Sequence, residues 1–169
     1  EKLIISNANN SDFQYCIFRY FNVVGKHLFK DIKKKNNLSL FEKILYCLEK
    51  NKIFKIHGKK LNTDDGTPIR DFIHMEDVTS AHLKCIKLKD KKKFWNNVFN
   101  IGYNKGVSVL QIINEYNKIF KKKIKYEFTP RKKGVIERSV SNNEKFIKFS
   151  NWKPKYSKIE KIIKNYFIN

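Results

Sequence analysis

The chain is poor in glycine, and its six glycines, at positions 25, 58, 66, 102, 106 and 134, never cluster. A turn that cradles a dinucleotide needs closely spaced glycines between a strand and a helix, because backbone amides must approach the pyrophosphate. This sequence therefore holds no such turn. It also lacks any apolar run near the ~18 residues that span a bilayer. The Glu1-Lys2 start has neither an initiator methionine nor the basic-then-apolar pattern of a signal peptide. The expectation is a soluble, cytoplasmic protein without a membrane partner, whose first residue is not a natural start.

Cysteine is scarce as well: Cys16, Cys47 and Cys85 stand far apart in apolar surroundings, with no C-x-x-C pair and no cluster of cysteines and histidines that would make a metal-ligand set. Buried free thiols in a reducing compartment are expected, and no metal. Acidic residues are few, 16 against 37 basic ones, for a net charge of +21. Runs such as Lys33-Lys34-Lys35 and Lys121-Lys122-Lys123 look like phosphate-binding patches, but lysines lie on every segment beside abundant Asn and Ile. Dedicated nucleic-acid binders concentrate charge on one face, so a scattered, compositional excess is expected and no nucleic-acid partner. Arginine, by contrast, is rare: only Arg19, Arg70, Arg131 and Arg138 against 33 lysines. Where lysine otherwise supplies positive charge, those four mark places where a planar, bidentate fork matters, and they are the first candidates for function.

With 41% hydrophobic residues, 14 Phe and two Trp, the chain can build a core. Glu1 to Ile5 reads as the end of a helix and Tyr15 to Phe21 as a buried strand. Leu38 to Lys50 is an amphipathic helix with Phe41, Ile44, Leu45 and Leu48 inward. Lys52 to His57 and Ile69 to His74 read as short strands around the turn Asp64-Asp65-Gly66-Thr67-Pro68, and Asp77 is placed to N-cap the next helix. Val98 to Gly102 is a strand. Ser108-x-x-Gln111 and Ser157-x-x-Glu160 are capping boxes opening two helices, separated by a strand over Ile124 to Phe128 and a basic loop from Thr129 to Gly134. The pattern is α/β throughout, and so many short strands in one chain suggest part of a larger layered protein.

Two features bear on chemistry. Tyr46-x-x-x-Lys50 has the spacing that places a phenol and an ammonium on one helix face, but in so lysine-rich a chain it reads as a surface pair. The dense stretch is Thr63 to Asp77, with a turn, a rare arginine and a polar strand end. From the residues alone, Arg70 either pairs structurally with Asp65 or Asp71 or binds an anion.

Several segments in order resemble one family. Arg19-Tyr20-Phe21-Asn22-Val23-Val24-Gly25 matches the pattern R-Y-F-N-x-x-G, Asn36-Asn37-Leu38 matches N-N-L, and Thr63 to Asp77 matches T-x-D-G-T-x-x-R-D-Y-I-H-x-x-D with Phe72 for Tyr. Phe99-Asn100-Ile101-Gly102 through Ser108-Val109-Leu110, Pro130-Arg131-Lys132-Lys133-Gly134 and Trp152-Lys153-Pro154 continue the series. Together they resemble the UDP-glucose 4-epimerase branch of the extended short-chain dehydrogenase/reductase family.

That resemblance implies an α/β, Rossmann-type fold, with residues 1–169 as its C-terminal, substrate-binding portion and the last strands of its core. The NAD-binding half, and with it the catalytic Tyr-x-x-x-Lys set, would precede Glu1. It implies an NAD-dependent isomerase acting on a UDP-sugar through a 4-keto intermediate, and a homodimer formed through helices upstream of Glu1. Position by position, Phe21 would sit beside the nicotinamide. Asn22, Asn37, Leu38, Arg70 and Lys132 would meet the nucleotide diphosphate, and Lys55, Ile56 and His57 the uridine. Lys132 stands where the family has an arginine, and Val135 where it has a ribose-binding aspartate. Ser139 falls at a position that gates sugar size, and a small residue there implies acceptance of N-acetylated sugars. A nucleotide-sugar dehydratase or decarboxylase, and a non-catalytic sugar-nucleotide-binding remnant, remain open beside this reading.

Overall fold

The computed structural model describes residues 1–10, 12–25, 38–88, 90, 94–131 and 133–168. Its elements follow the order α1 (Lys2–Asn9), β1 (Cys16–Tyr20), β2 (Asn22–Val24), α2 (Leu40–Glu49), β3 (Phe54–His57), β4 (Ile69–Arg70) and β5 (Phe72–His74), then α3 (Met75–Lys87), β6 (Asn97–Ile101), β7 (Val107–Ser108), α4 (Val109–Phe120), β8 (Tyr126–Thr129), β9 (Arg138–Ser139), α5 (Glu144–Ser150) and α6 (Ile159–Ile168).

These strands do not join into one sheet. β1 pairs in parallel with β6, β2 with β5 and β3 with β8, while β4 runs between antiparallel β7 and parallel β9. Parallel pairs need crossover connections, and helices supply them, which is why the sequence reads as alternating α and β. The helices cover an aromatic-rich core in which Phe41, Phe94, Phe99 and Phe146 are fully buried with Ile112, Ile113 and Ile162. Removing one such ring costs about 3–5 kcal/mol, so these residues hold the layers together. Ser39 and Ser108 each close a full capping box, with Glu42 and Gln111, fixing where α2 and α4 begin.

The structure departs from the sequence reading in several places. The strand read as buried is β1, half-buried at Cys16 to Phe18 and exposed at Arg19 and Tyr20, and the three thiols expected to be buried are half-buried. The segment from Ile69 to His74 is not one strand but two, β4 and β5, in different sheets. Asp71 is the pivot. Its fully buried carboxylate accepts from the amides of Tyr103, Asn104 and Ser141 and from the Ser141 hydroxyl, and this set of donors pins the chain as it turns from one sheet to the next.

Asp77 does not cap α3. His74 does so, its Nδ1 accepting from the Glu76 amide at 3.2 Å. Asp77 is buried in the first turn of α3, where it accepts from the amides of Lys155 and Tyr156 and, at 2.5 Å, from the Tyr103 hydroxyl. A carboxylate that satisfies two distant amides fastens the C-terminal segment to the core, which outweighs a local cap. Burial first, and the bond to Asp77 second, push the Tyr103 phenol far above its ordinary pKa, so it stays protonated and donating. Finally, α6 begins at Ile159, two residues beyond Ser157, and β2, β7, β9 and α5 are elements that the sequence pattern did not separate from their surroundings.

Candidate functional site

A cavity of about 520 Å³ opens where α2, β3 and β4 meet. Helix α2 contributes Lys43, Tyr46 and Cys47. The following turn contributes Lys52, β3 contributes Lys55, Ile56 and His57, and β4 contributes Arg70. Asn22 at the start of β2 and Phe72 of β5 close one side, Val109 and Val135 another. Asn22 is brought there by backbone pairing, since its amide donates to the Asp71 carbonyl at 2.9 Å as β2 docks beside β5.

The charge on this wall is of one sign. Lys43, Lys52, Lys55 and Arg70 line the cavity, and among the described residues no Asp or Glu does. Lys52 Nζ donates to the Tyr46 hydroxyl at 2.9 Å, a bond that raises the lysine above its ordinary pKa and keeps it charged. Tyr46 thus pairs with Lys52 across the helix end. Lys55 lies 3.6 Å from Glu127, an exposed pair worth little energetically.

Arg70 is half-buried and meets neither Asp65 nor Asp71. Its Nη1 donates to the carbonyl of Ile69 at 2.7 Å, with a longer contact to that of Glu137, and its Nη2 to that of Ile136 at 2.7 Å. Asp65 is instead engaged by Thr67 and Ser108, and Asp71 by the donors named above. Burial lowers the Arg70 pKa from its ordinary value, yet a guanidinium stays protonated at any physiological pH. Among the described residues its partners are neutral carbonyls, which do not compensate a partly desolvated cation, and an anion in the cavity would do so.

Two of the other arginines do structural work, while Arg138 is exposed on β9. Arg19 makes a two-pronged contact with Glu1, Nε to Oε1 at 2.9 Å and Nη2 to Oε2 at 2.6 Å. Arg131 donates to Glu137 at 3.1 Å and to the Val135 carbonyl at 2.8 Å.

Of the residues singled out in the sequence, Asn22, Lys55, Ile56, His57 and Arg70 line this one cavity. His57 is oriented by Thr129, whose Oγ1 lies 2.7 Å from Nδ1. Ser139 sits in register beside Arg70 on β9, and its carbonyl accepts from the Asp71 amide at 3.0 Å, but its side chain is not on the wall. Phe21 and Leu38 are half-buried away from it. Asn37 and Lys132 lie outside the described residues. Lys43, Tyr46 and Lys52 were not anticipated, because single lysines carry no signal in a chain with 33 of them. A larger cavity of about 760 Å³ lies between α4 and α6, but there Lys105, Lys118 and Lys158 are offset by Glu115 and Glu160, and none of the anticipated site residues line it.

This architecture is an α/β fold of the Rossmann type in part, matching roughly half of larger solved chains. It superposes on the UDP-Glc/GlcNAc 4-epimerase of Campylobacter jejuni with a TM-score of 0.80 and 32% identity, covering 99% of this chain and 52% of that one. A UDP-glucose 4-epimerase from Bifidobacterium longum, solved with NAD⁺ and UDP, aligns with a TM-score of 0.79 and 27% identity over 96% of this chain and 49% of its own. Among curated proteins, UDP-glucose 4-epimerase of Dictyostelium discoideum is 31% identical over 150 residues, which is 86% of this chain and 44% of the relative. The NAD dependent epimerase/dehydratase family matches residues 1–102, and the chain belongs to that family. It spans about half the length of the relatives it matches.

Proposed function

We propose that this chain is the nucleotide-sugar-binding portion of a UDP-glucose 4-epimerase, interconverting UDP-glucose and UDP-galactose. The observation that carries the reading is Arg70, a cation that no carboxylate among the described residues compensates, in a cavity that those residues line with cations and apolar surface. A nucleoside diphosphate supplies what that cavity lacks: two phosphates for the cations, and a flat base for the apolar wall between Cys47, Phe54 and Ile56.

In this reading Arg70 and Asn22 hold the diphosphate, with Asn37 and Lys132 adding contacts, and Lys55, Ile56 and His57 flank the uracil. NAD supplies the oxidation and return of hydride at the sugar's C4. The residues present do not fit it as its main holders, since no Gly-rich strand-to-helix turn occurs among them. NAD is then held chiefly by chain beyond this sequence, with Phe21 beside the nicotinamide, in a homodimeric whole. This chain's own part is to fix the nucleotide so that the sugar is presented to chemistry performed elsewhere.

The small Ser139 supports acceptance of N-acetylated sugars. Equal turnover of UDP-N-acetylglucosamine by the full-length protein and its Ser139→Tyr variant would refute that part alone. The reading as a whole is tested by supplying the full-length protein with UDP-glucose and NAD. Formation of UDP-galactose is expected. Binding of UDP-glucose without turnover would favour a non-catalytic binder, and a dehydrated or decarboxylated product would favour the related lyases.

A further inference from the structure

Two of the three thiols face each other across the packing of β1 on α3, away from the nucleotide cavity. Side chains alternate along a strand, so Cys16, Phe18 and Tyr20 share one face of β1. That face meets α3. The Phe18 ring lies edge-on to the His82 ring with centroids 5.0 Å apart, and Tyr20 Oη is 2.8 Å from His82 Nε2. His82 and Cys85 stand three residues apart on α3, on one side of the helix. The strand runs back from Tyr20 to Cys16 as the helix runs forward from His82 to Cys85. This register brings the two sulfurs together, where they share an S–H···S hydrogen bond.

Cys47 is placed differently, with its Sγ donating to the Ile53 carbonyl at 3.9 Å. Cys16 and Cys85 are each half-buried and packed against the core, within reach of a small oxidant. Burial raises both thiols above the usual range, so the first attack by either sulfur is slow at neutral pH. The second step is helped by proximity, because the partner sulfur is already in contact. Closure then needs only rotation of the two side chains and a slight approach of strand and helix.

We propose that Cys16 and Cys85 form a redox modification site, which hydrogen peroxide converts into a disulfide that fastens β1 to α3. One sulfur attacks the peroxide, the O–O bond breaks, and that sulfur becomes a sulfenic acid as water leaves. The other sulfur attacks the sulfenic sulfur, its proton departs with the hydroxyl as a second water, and the S–S bond forms. The two sulfurs together give up two electrons and the peroxide takes them, and a dithiol reductant reverses the change. The cross-link closes the long loop between residues 16 and 85, which restricts the unfolded chain and makes the oxidised protein the more stable form. None of this depends on what the cavity binds.

The test treats the full-length protein with hydrogen peroxide in native buffer, alkylates the remaining thiols in denaturant and maps the unreduced peptides by mass spectrometry. The expected product is a linked pair of peptides containing Cys16 and Cys85, lighter than the free pair by two hydrogens and separated by dithiothreitol. The urea midpoint should rise on oxidation and return on reduction. Recovery of Cys16 and Cys85 as separate alkylated or over-oxidised peptides overturns the proposal, and so does linkage of either one to a different cysteine. This mapping is done on the parent protein and needs no variant. Cys16→Ser and Cys85→Ser should each abolish both the linked peptide and the midpoint shift, whereas Cys47→Ser should still yield the linked peptide. A midpoint shift that persists in Cys16→Ser or Cys85→Ser would contradict the assignment of the lock to this pair.

Discussion

Arg70 Nη2 donates to the carbonyl of Ile136 at 2.7 Å, so the cation that faces the cavity also ties β4 to the loop carrying Val135. The planar fork does two things at once, bracing the wall and presenting charge. Lysine, with one ammonium, cannot keep both carbonyl contacts and still point at a ligand. Arg70→Lys is therefore expected to cost about 1–2 kcal/mol in urea denaturation even without ligand, because two charge-assisted bonds to partly buried carbonyls are lost. Unchanged stability would show that the brace is dispensable.

Gly102 has no room for a side chain. A Cβ there would lie 2.5 Å from Ser141 Oγ and 2.7 Å from Asp71 Oδ2, within the bonds that turn β4 into β5. Gly102→Ala should destabilise the fold by about 2–3 kcal/mol through this overpacking. The same variant should weaken ligand binding, since Arg70 and Asn22 are both positioned from that turn. Chemical denaturation alongside titration with UDP separates the two effects.

Asp65 makes stability fall in acid. Burial alone would raise its pKa, but the bonds from Ser108 and Thr67 outweigh burial and leave the carboxyl below its ordinary value of 3.8. A folded pKa below the unfolded one gives stabilisation that is complete above the unfolded value and lost as pH falls through the folded one. The decline in melting temperature below about pH 4 should be shallower in Asp65→Asn than in the parent. Identical acid slopes would remove Asp65 from the account.

The three thiols should react slowly. Burial raises Cys16, Cys47 and Cys85 above the usual thiol range, and Cys85 beside Cys16 reinforces the effect there. At neutral pH the thiolate fraction is minute, and the thiolate is the reactive form. Iodoacetamide labelling in native buffer should be at least about tenfold slower than in denaturant. Comparable rates would mean the thiols are open to solvent.

Helices α2 and α4 were legible through their apolar stripes, and α4 also through the box of Ser108 with Gln111; α5, whose N-cap Asn143 makes no side-chain bond, carried no such signal. The site was legible in part through rarity, since Arg70 stands out in a lysine background and Asn22, Lys55, Ile56 and His57 follow by alignment of motifs. What could not be read were events between distant segments. The split at Asp71 depends on Ser141, 70 residues later, and the removal of Asp77 from its cap depends on Lys155 and Tyr156. Such bonds leave no local periodicity, and the roles of Lys43 and Lys52 are invisible for the opposite reason, that lysine is everywhere.

The central claim is that the cavity around Arg70 holds a nucleoside diphosphate. Calorimetric titration of the full-length protein with UDP, repeated on Arg70→Ala with its fold verified by circular dichroism, tests it most directly. Saturable UDP binding is expected, weakened by about 10–100-fold in the variant, as the loss of one charge-assisted contact dictates. Absence of UDP binding, or equal affinity in parent and variant, would contradict the account.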